Sequence, residues 1–109
     1  MSKKPKPAVW GSPVEVERRN RIRLTLSAYA YERGWPPIMD DAEWDALALK
    51  IRPEMNTDHP VLDAFFRDTF SPDTGQWVHD HPEHDKLERA YLRGCRRWYK
   101  NRELPGYNC

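Results

Sequence analysis

The stretch YERGWPPIMDDAEWD, residues 31–45, constrains the fold more than any other part of the chain. Gly34 supplies the left-handed residue that ends a helix. Pro36 and Pro37 cannot extend that helix, and they stiffen the turn that follows. Asp40 or Asp41 then caps a new helix, with Glu43 completing a capping box to Asp40. A helix end and a helix start joined by so short a turn predict an antiparallel hairpin. Its first arm starts at Ser12, which caps, with Pro13 in the first turn and Glu15 reaching back. That arm runs to about Arg33. The second arm covers about 41–51, and Pro53 stops it.

Apolar spacing predicts which faces are buried. Ile22, Leu26, Tyr29 and Ala30 form the stripe of the first helix, leaving Arg18, Arg19, Arg21 and Arg23 mostly on other faces. Trp44, Leu47, Ala48 and Ile51 form that of the second. A third helix is expected over about 60–69, opened by Pro60, with Leu62, Phe65 and Phe66 inward. SPDTG at 71–75 reads as a turn. A fourth helix runs from about Pro82 to Lys100, with Leu87, Ala90, Tyr91, Gly94, Cys95 and Trp98 on its apolar face. The expected fold is all-α: a helical hairpin with two further helices packed on it, in a single small domain. The pattern DHPxxD occurs twice, at 58–63 and 80–85, each time at a helix start. We read it as repeated start chemistry, with Pro in the first turn and acid near the positive end of the helix dipole.

Residues 1–11 read as a flexible, basic, Pro-rich tail whose end Trp10 is placed to anchor. Residues 12–104 form the helical domain, and 105–109 a C-terminal tail. With 109 residues, five tryptophans and five tyrosines, large rings must supply much of the buried surface. Net charge is +1, but its distribution is uneven. Residues 1–23 carry seven Lys/Arg against two Asp/Glu, residues 24–85 four against thirteen, and residues 86–109 seven against two. The basic ends can fold against the acidic middle or reach phosphates. Cys95 and Cys109 form no disulfide framework. No signal peptide and no apolar run near membrane-spanning length is visible. The expectation is a cytoplasmic protein without a membrane anchor.

Positions 41, 44 and 45 share one face of the second helix. Tyr31, at the end of the first helix, lies across the turn from them. Tyr31 and Trp44 offer ring faces, and Asp41 and Asp45 offer carboxylates. That set suits a flat, cationic ring. The acids at 40–45 also serve as helix-start chemistry, and Trp44 also lies on the buried stripe.

Residues 29–31 read YAY and residues 41–47 read DAEWDAL. Over 20–52 the chain resembles the small N-terminal helical domain (domain Ia) of bacterial NAD-dependent DNA ligases. There a Tyr-rich helix end and a Pro-containing turn precede D-A-E-Y-D-x-L, and an HP like His59–Pro60 follows. The resemblance covers about a third of the chain. It implies that Tyr31, Asp41, Trp44 and Asp45 match positions that bind the nicotinamide mononucleotide half of NAD. Trp44 stands where the family usually has tyrosine, and Glu32 where some members have histidine, at a phosphate or ribose contact. No KxDG adenylation lysine, four-cysteine zinc site or helix-hairpin-helix array is visible, so ligase activity is not expected. Short chains of this kind resemble those of bacteriophage genomes.

Two other groups merit attention. His79, Asp80, His81, His84 and Asp85 include metal-ligating types, but their convergence is not implied by spacing, and solvated helix-start residues are the simpler reading. Arg89, Arg93, Arg96, Arg97 and Lys100, with Lys3, Lys4 and Lys6, can contact nucleic-acid phosphates without base-specific reading. Cys95, expected to be buried, is a poor nucleophile, and Ser12, Ser27 and Ser71 lack a base partner. The expected function is therefore non-enzymatic. It is a small binding module related to the ligase domain, with nicotinamide mononucleotide or NAD as ligand and no required cofactor, acting in phage or bacterial DNA metabolism. The alternative is a phage-type interaction protein. It would inhibit a host or defence complex, or serve as a nucleic-acid-binding accessory factor, through its acidic middle or basic ends.

Overall fold

The computed structural model describes residues 9–102, and the side chains of residues 9–93. Helix α1 spans Pro13–Arg33, α2 Asp41–Lys50, α3 Pro60–Asp68 and α4 His84–Arg102, with a short 3-10 helix at Gln76–Asp80. The described residues contain no strand, so the chain is a small all-α domain. No helix among them is long and apolar enough to cross a membrane.

Local chemistry sets the helix ends where the sequence indicated. The Ser12 hydroxyl accepts from the Glu15 amide, and Gly34 closes α1 with φ 70°. Asp40 and Glu43 form both halves of the capping box of α2. As α2 advances, its partners on α1 retreat. Tyr31 shares a cleft with Asp41, the Trp44 indole meets the Leu24 carbonyl, and the Arg52 amide meets Glu17. The hairpin is antiparallel.

Helix α1 is the centre of the fold, packed by α2, α4 and the 3-10 helix. Residues 24–30, LTLSAYA, are buried around the whole helix. The expected narrow stripe is thus too narrow, because a helix enclosed on every side needs small or apolar residues on every side. Two aromatic groups flank it. Tyr29, Trp35 and Tyr91 meet edge-on or tilted, with the Tyr91 hydroxyl donating to the Pro36 carbonyl at 2.9 Å. Phe65, Phe66, Phe70 and Trp77 form the other, with the Trp77 indole donating to the Ser71 carbonyl at 3.0 Å. Burial of Trp77 and Val78 fixes the 3-10 helix, which the helical spacing did not reveal.

The largest departure from expectation is at the N-terminal half of α1. Ile22, expected inside, is 59% exposed, whereas Arg21, expected on an outer face, is 4% exposed. The cause is a buried ionic knot. Arg21 Nε donates to Glu17 at 2.6 Å and its Nη1 to Asp63 at 2.8 Å, while Nη2 donates to the carbonyls of Arg52 and Met55. Both Glu17 carboxylate oxygens accept from the Arg52 amide. Asp63 accepts from the Thr57 amide and hydroxyl, and Arg18 donates to the Thr57 carbonyl. The knot ties the irregular 51–59 segment to α1 and α3. Charged groups are tolerated there because almost every donor and acceptor is matched. Burial pushes the Asp63 carboxyl up. Its bonds from the Thr57 side chain, the Thr57 amide, Arg21 and the His59 amide outweigh that and hold it below the ordinary value of 3.8.

Trp10 anchors less than expected. It is 75% exposed and stacks under the Arg19 guanidinium at 4.4 Å. Helix α4 starts at His84 rather than Pro82, because a turn from His81 to His84 precedes it. The expected inward set of α4 is seen at Leu87 and Tyr91, with Ala90 half-buried. Gly94, Cys95 and Trp98 lie outside the described side chains.

Candidate functional site

A cleft of about 370 Å³ lies between the α1–α2 hairpin and the 73–75 turn. Tyr31, Asp41, Trp44 and Asp45 all line it. The hairpin accounts for this convergence. Gly34 and the two prolines return the chain so that the last turn of α1 faces the first turn of α2, and helical spacing puts 41, 44 and 45 side by side. Ser27, Ala28, Pro37 and Met39 complete the hairpin side. Tyr31 is 73% exposed, whereas Trp44 is half-buried, packed on the core, with its indole Nε1–H directed at the Leu24 carbonyl at 3.4 Å. One ring is thus held by the core and the other stands largely in solvent.

Sequence reasoning missed the opposite wall, Asp73, Thr74 and Gly75. It comes from a loop nearly thirty residues on. Ser71 and Thr74 hydroxyls accept from the amides of Asp73 and Gln76, fixing the turn. Gly75 is needed where the turn touches α1. A Cβ there would lie 2.9 Å from the Ala28 Cβ and 3.7 Å from the Trp44 ring. The glycine in SPDTG was the available signal of that close approach.

The cleft carries three carboxylates, of Asp41, Asp45 and Asp73, and no Lys or Arg among its described lining residues. Its field favours a cation and opposes a phosphate. Glu32 does not join it. Its carboxylate meets His79 Nε2 at 2.7 Å, away from the cleft lining.

Of the histidine cluster, the His79 and His84 rings lie 6.5 Å apart. His79 pairs with Glu32, and His84 packs edge-on against Tyr29. His81, expected in solvent, is buried against Phe65. Among the described residues no three His, Cys, Asp or Glu side chains converge on one point. Arg89 and Arg93 are exposed on α4. Arg96, Arg97 and Lys100 fall outside the described side chains, as do Lys3, Lys4 and Lys6 outside the described residues. No protein-family model, curated protein or solved structure matches the chain.

Proposed function

We propose that the chain is a small, non-catalytic binding module whose α1–α2 cleft takes the oxidised nicotinamide ring of a nicotinamide nucleotide. The observation that carries this reading is that two aromatic side chains and two carboxylates, Tyr31, Trp44, Asp41 and Asp45, line one open cleft. Trp44, held by the core, is the fixed stacking surface, and Tyr31 closes over the ligand. Stacking a cation on such rings contributes about 0.5–2 kcal/mol. Asp45 accepts from the carboxamide and Asp41 from a ribose hydroxyl. The acidic lining turns any phosphate outward to solvent, so the recognised unit is the nicotinamide riboside portion. The likeness of residues 20–52 to the ligase domain adds a role in phage or bacterial DNA metabolism to this reading.

Calorimetry tests it, with nicotinamide mononucleotide, NAD, the N-methylnicotinamide cation and neutral nicotinamide as titrants. The three titrants with an oxidised, cationic ring bind, N-methylnicotinamide without a phosphate to repel, the neutral ring binds more weakly, and Trp44→Ala and Asp45→Ala each weaken binding of the cationic ring. No heat at millimolar cation removes the proposal. A second reading, as an interaction factor for a host protein or nucleic acid, draws on Arg89 and Arg93, which stand exposed on α4. A salt-dependent shift of labelled DNA would favour the nucleic-acid form of that role.

A further inference from the structure

A second concavity, of about 610 Å³, lies on another side of the molecule, between α1, α3 and α4. Its apolar wall comprises Ile22, Leu26, Leu62, Phe66, Leu87 and Ala90. Its size falls within the usual range for small-molecule sites. The 59% exposure of Ile22, unexpected for its place on α1, is exposure beside this groove.

Its polar groups have one character. The two DHP motifs bring His59 and His81 to the same groove. In each, the ring Nδ1 accepts a backbone amide, from Leu62 at 3.3 Å and from Glu83 at 3.0 Å. An amide can donate only to an unprotonated nitrogen, so each ring carries its proton on Nε2. Each therefore keeps one N–H donor beyond its cap. Burial chiefly, with Glu83 opposing and His84 and His59 assisting, pushes His81 down to about 4, so this ring stays neutral near pH 7. The Thr25 hydroxyl, 3% exposed, also lines the groove and has no hydrogen-bond partner among the described residues. Lys86 and Arg93 stand at the edge. Glu83 is the one acid among the described lining residues, and Lys86 pairs with it at 3.3 Å. Arg18 and Arg21 are committed to the ionic knot.

An apolar slot whose spare polar groups are N–H and O–H donors, with Arg93 among its lining residues, is complementary to an acceptor-rich anion on a hydrocarbon body. We propose that this groove binds a free amphipathic carboxylate of the medium-chain fatty-acid class. Its chain lies along Leu26, Phe66 and Leu87, and its carboxylate takes hydrogen bonds from His59 and His81. This site is separate from the nicotinamide cleft and does not depend on it.

The test is calorimetric titration of the full chain with hexanoate, octanoate, decanoate and octan-1-ol. Octanoate binds saturably, each added methylene tightens binding by up to about fourfold, and octan-1-ol binds at least tenfold more weakly than octanoate. The double variant His59→Asn, His81→Asn keeps an acceptor for each backbone amide but loses the Nε2 donors. It loses at least tenfold for octanoate and nothing for octan-1-ol. Ala90→Phe fills the groove and abolishes both, leaving N-methylnicotinamide titrations unchanged. Three results would each overturn the proposal. They are no saturable binding at millimolar octanoate, equal affinity for acid and alcohol, and unchanged octanoate affinity in a folded double-asparagine variant.

Discussion

Replacing Arg21 with methionine should remove a large share of this protein's stability. Methionine fills a comparable volume but leaves Glu17 and Asp63, 3% and 9% exposed, facing each other without their shared cation. It also strips the carbonyls of Arg52 and Met55 of a donor. Removing one partner of a buried ionic group costs about 3–5 kcal/mol. Domains of this size hold about 5–15 kcal/mol in total. At about 4–8 °C per kcal/mol, the melting temperature should fall by at least ~12 °C. Asp63→Asn is the companion, keeping shape while losing charge. The folded Asp63 carboxyl titrates below its unfolded value of 3.8. Its stabilisation is therefore complete above that value and is lost as pH falls through the lower, folded value. Urea denaturation from pH 7 to 2 should show Asp63→Asn less stable at pH 7, with the two curves converging below about pH 4. An Arg21→Met variant within 1 kcal/mol of the parent, or parallel pH curves for Asp63→Asn, would refute the argument that the knot holds the 51–59 segment.

Two further outcomes follow from the hairpin and its facing turn. Gly75→Ala has an acceptable backbone, φ −94° and ψ 3°, so its cost is steric. The new methyl must clear Ala28, and overpacking of this kind costs about 1–3 kcal/mol. The turn retreats, the cleft wall moves, and N-methylnicotinamide affinity falls; a variant with unchanged melting temperature and affinity contradicts the close approach. Asp40→Ala removes both the 2.7 Å acceptor for the Glu43 amide and the capping box, and should cost about 1 kcal/mol by chemical denaturation.

How far the sequence spoke depended on the range of the physics involved. Helix ends are decided by groups three or four residues apart, so Ser12, Gly34, Asp40 and Pro60 could be read directly. The meeting of Tyr31 with Asp41, Trp44 and Asp45 followed from one turn plus helical spacing. Arg21 could not be read, because its partner Asp63 lies 42 residues away and an arginine on a helix is ordinarily solvated. The (i, i+4) Glu17–Arg21 pair gave a local hint of an ion pair but none of its burial. The DHP repeat was correctly read as start chemistry at His59, whose ring caps α3. Its two copies nonetheless diverge, since Asp63 is drawn into the knot while Asp85 stays exposed. The seven uncharged residues 24–30 were the available signal that α1 is enclosed on all sides.

Trp44 is the fixed face of the proposed cation site, and its indole N–H is a direct reporter. In a nitrogen–proton correlation spectrum titrated with nicotinamide mononucleotide, the Trp44 indole and the amides of Asp45 and Gly75 should move together and saturate. The amides of Lys86 and Ala90, beside the other groove, should stay still. A spectrum in which the Trp44 indole does not move at millimolar ligand, or moves no more than those of Trp35 and Trp77, would rule out stacking of the ring on Trp44.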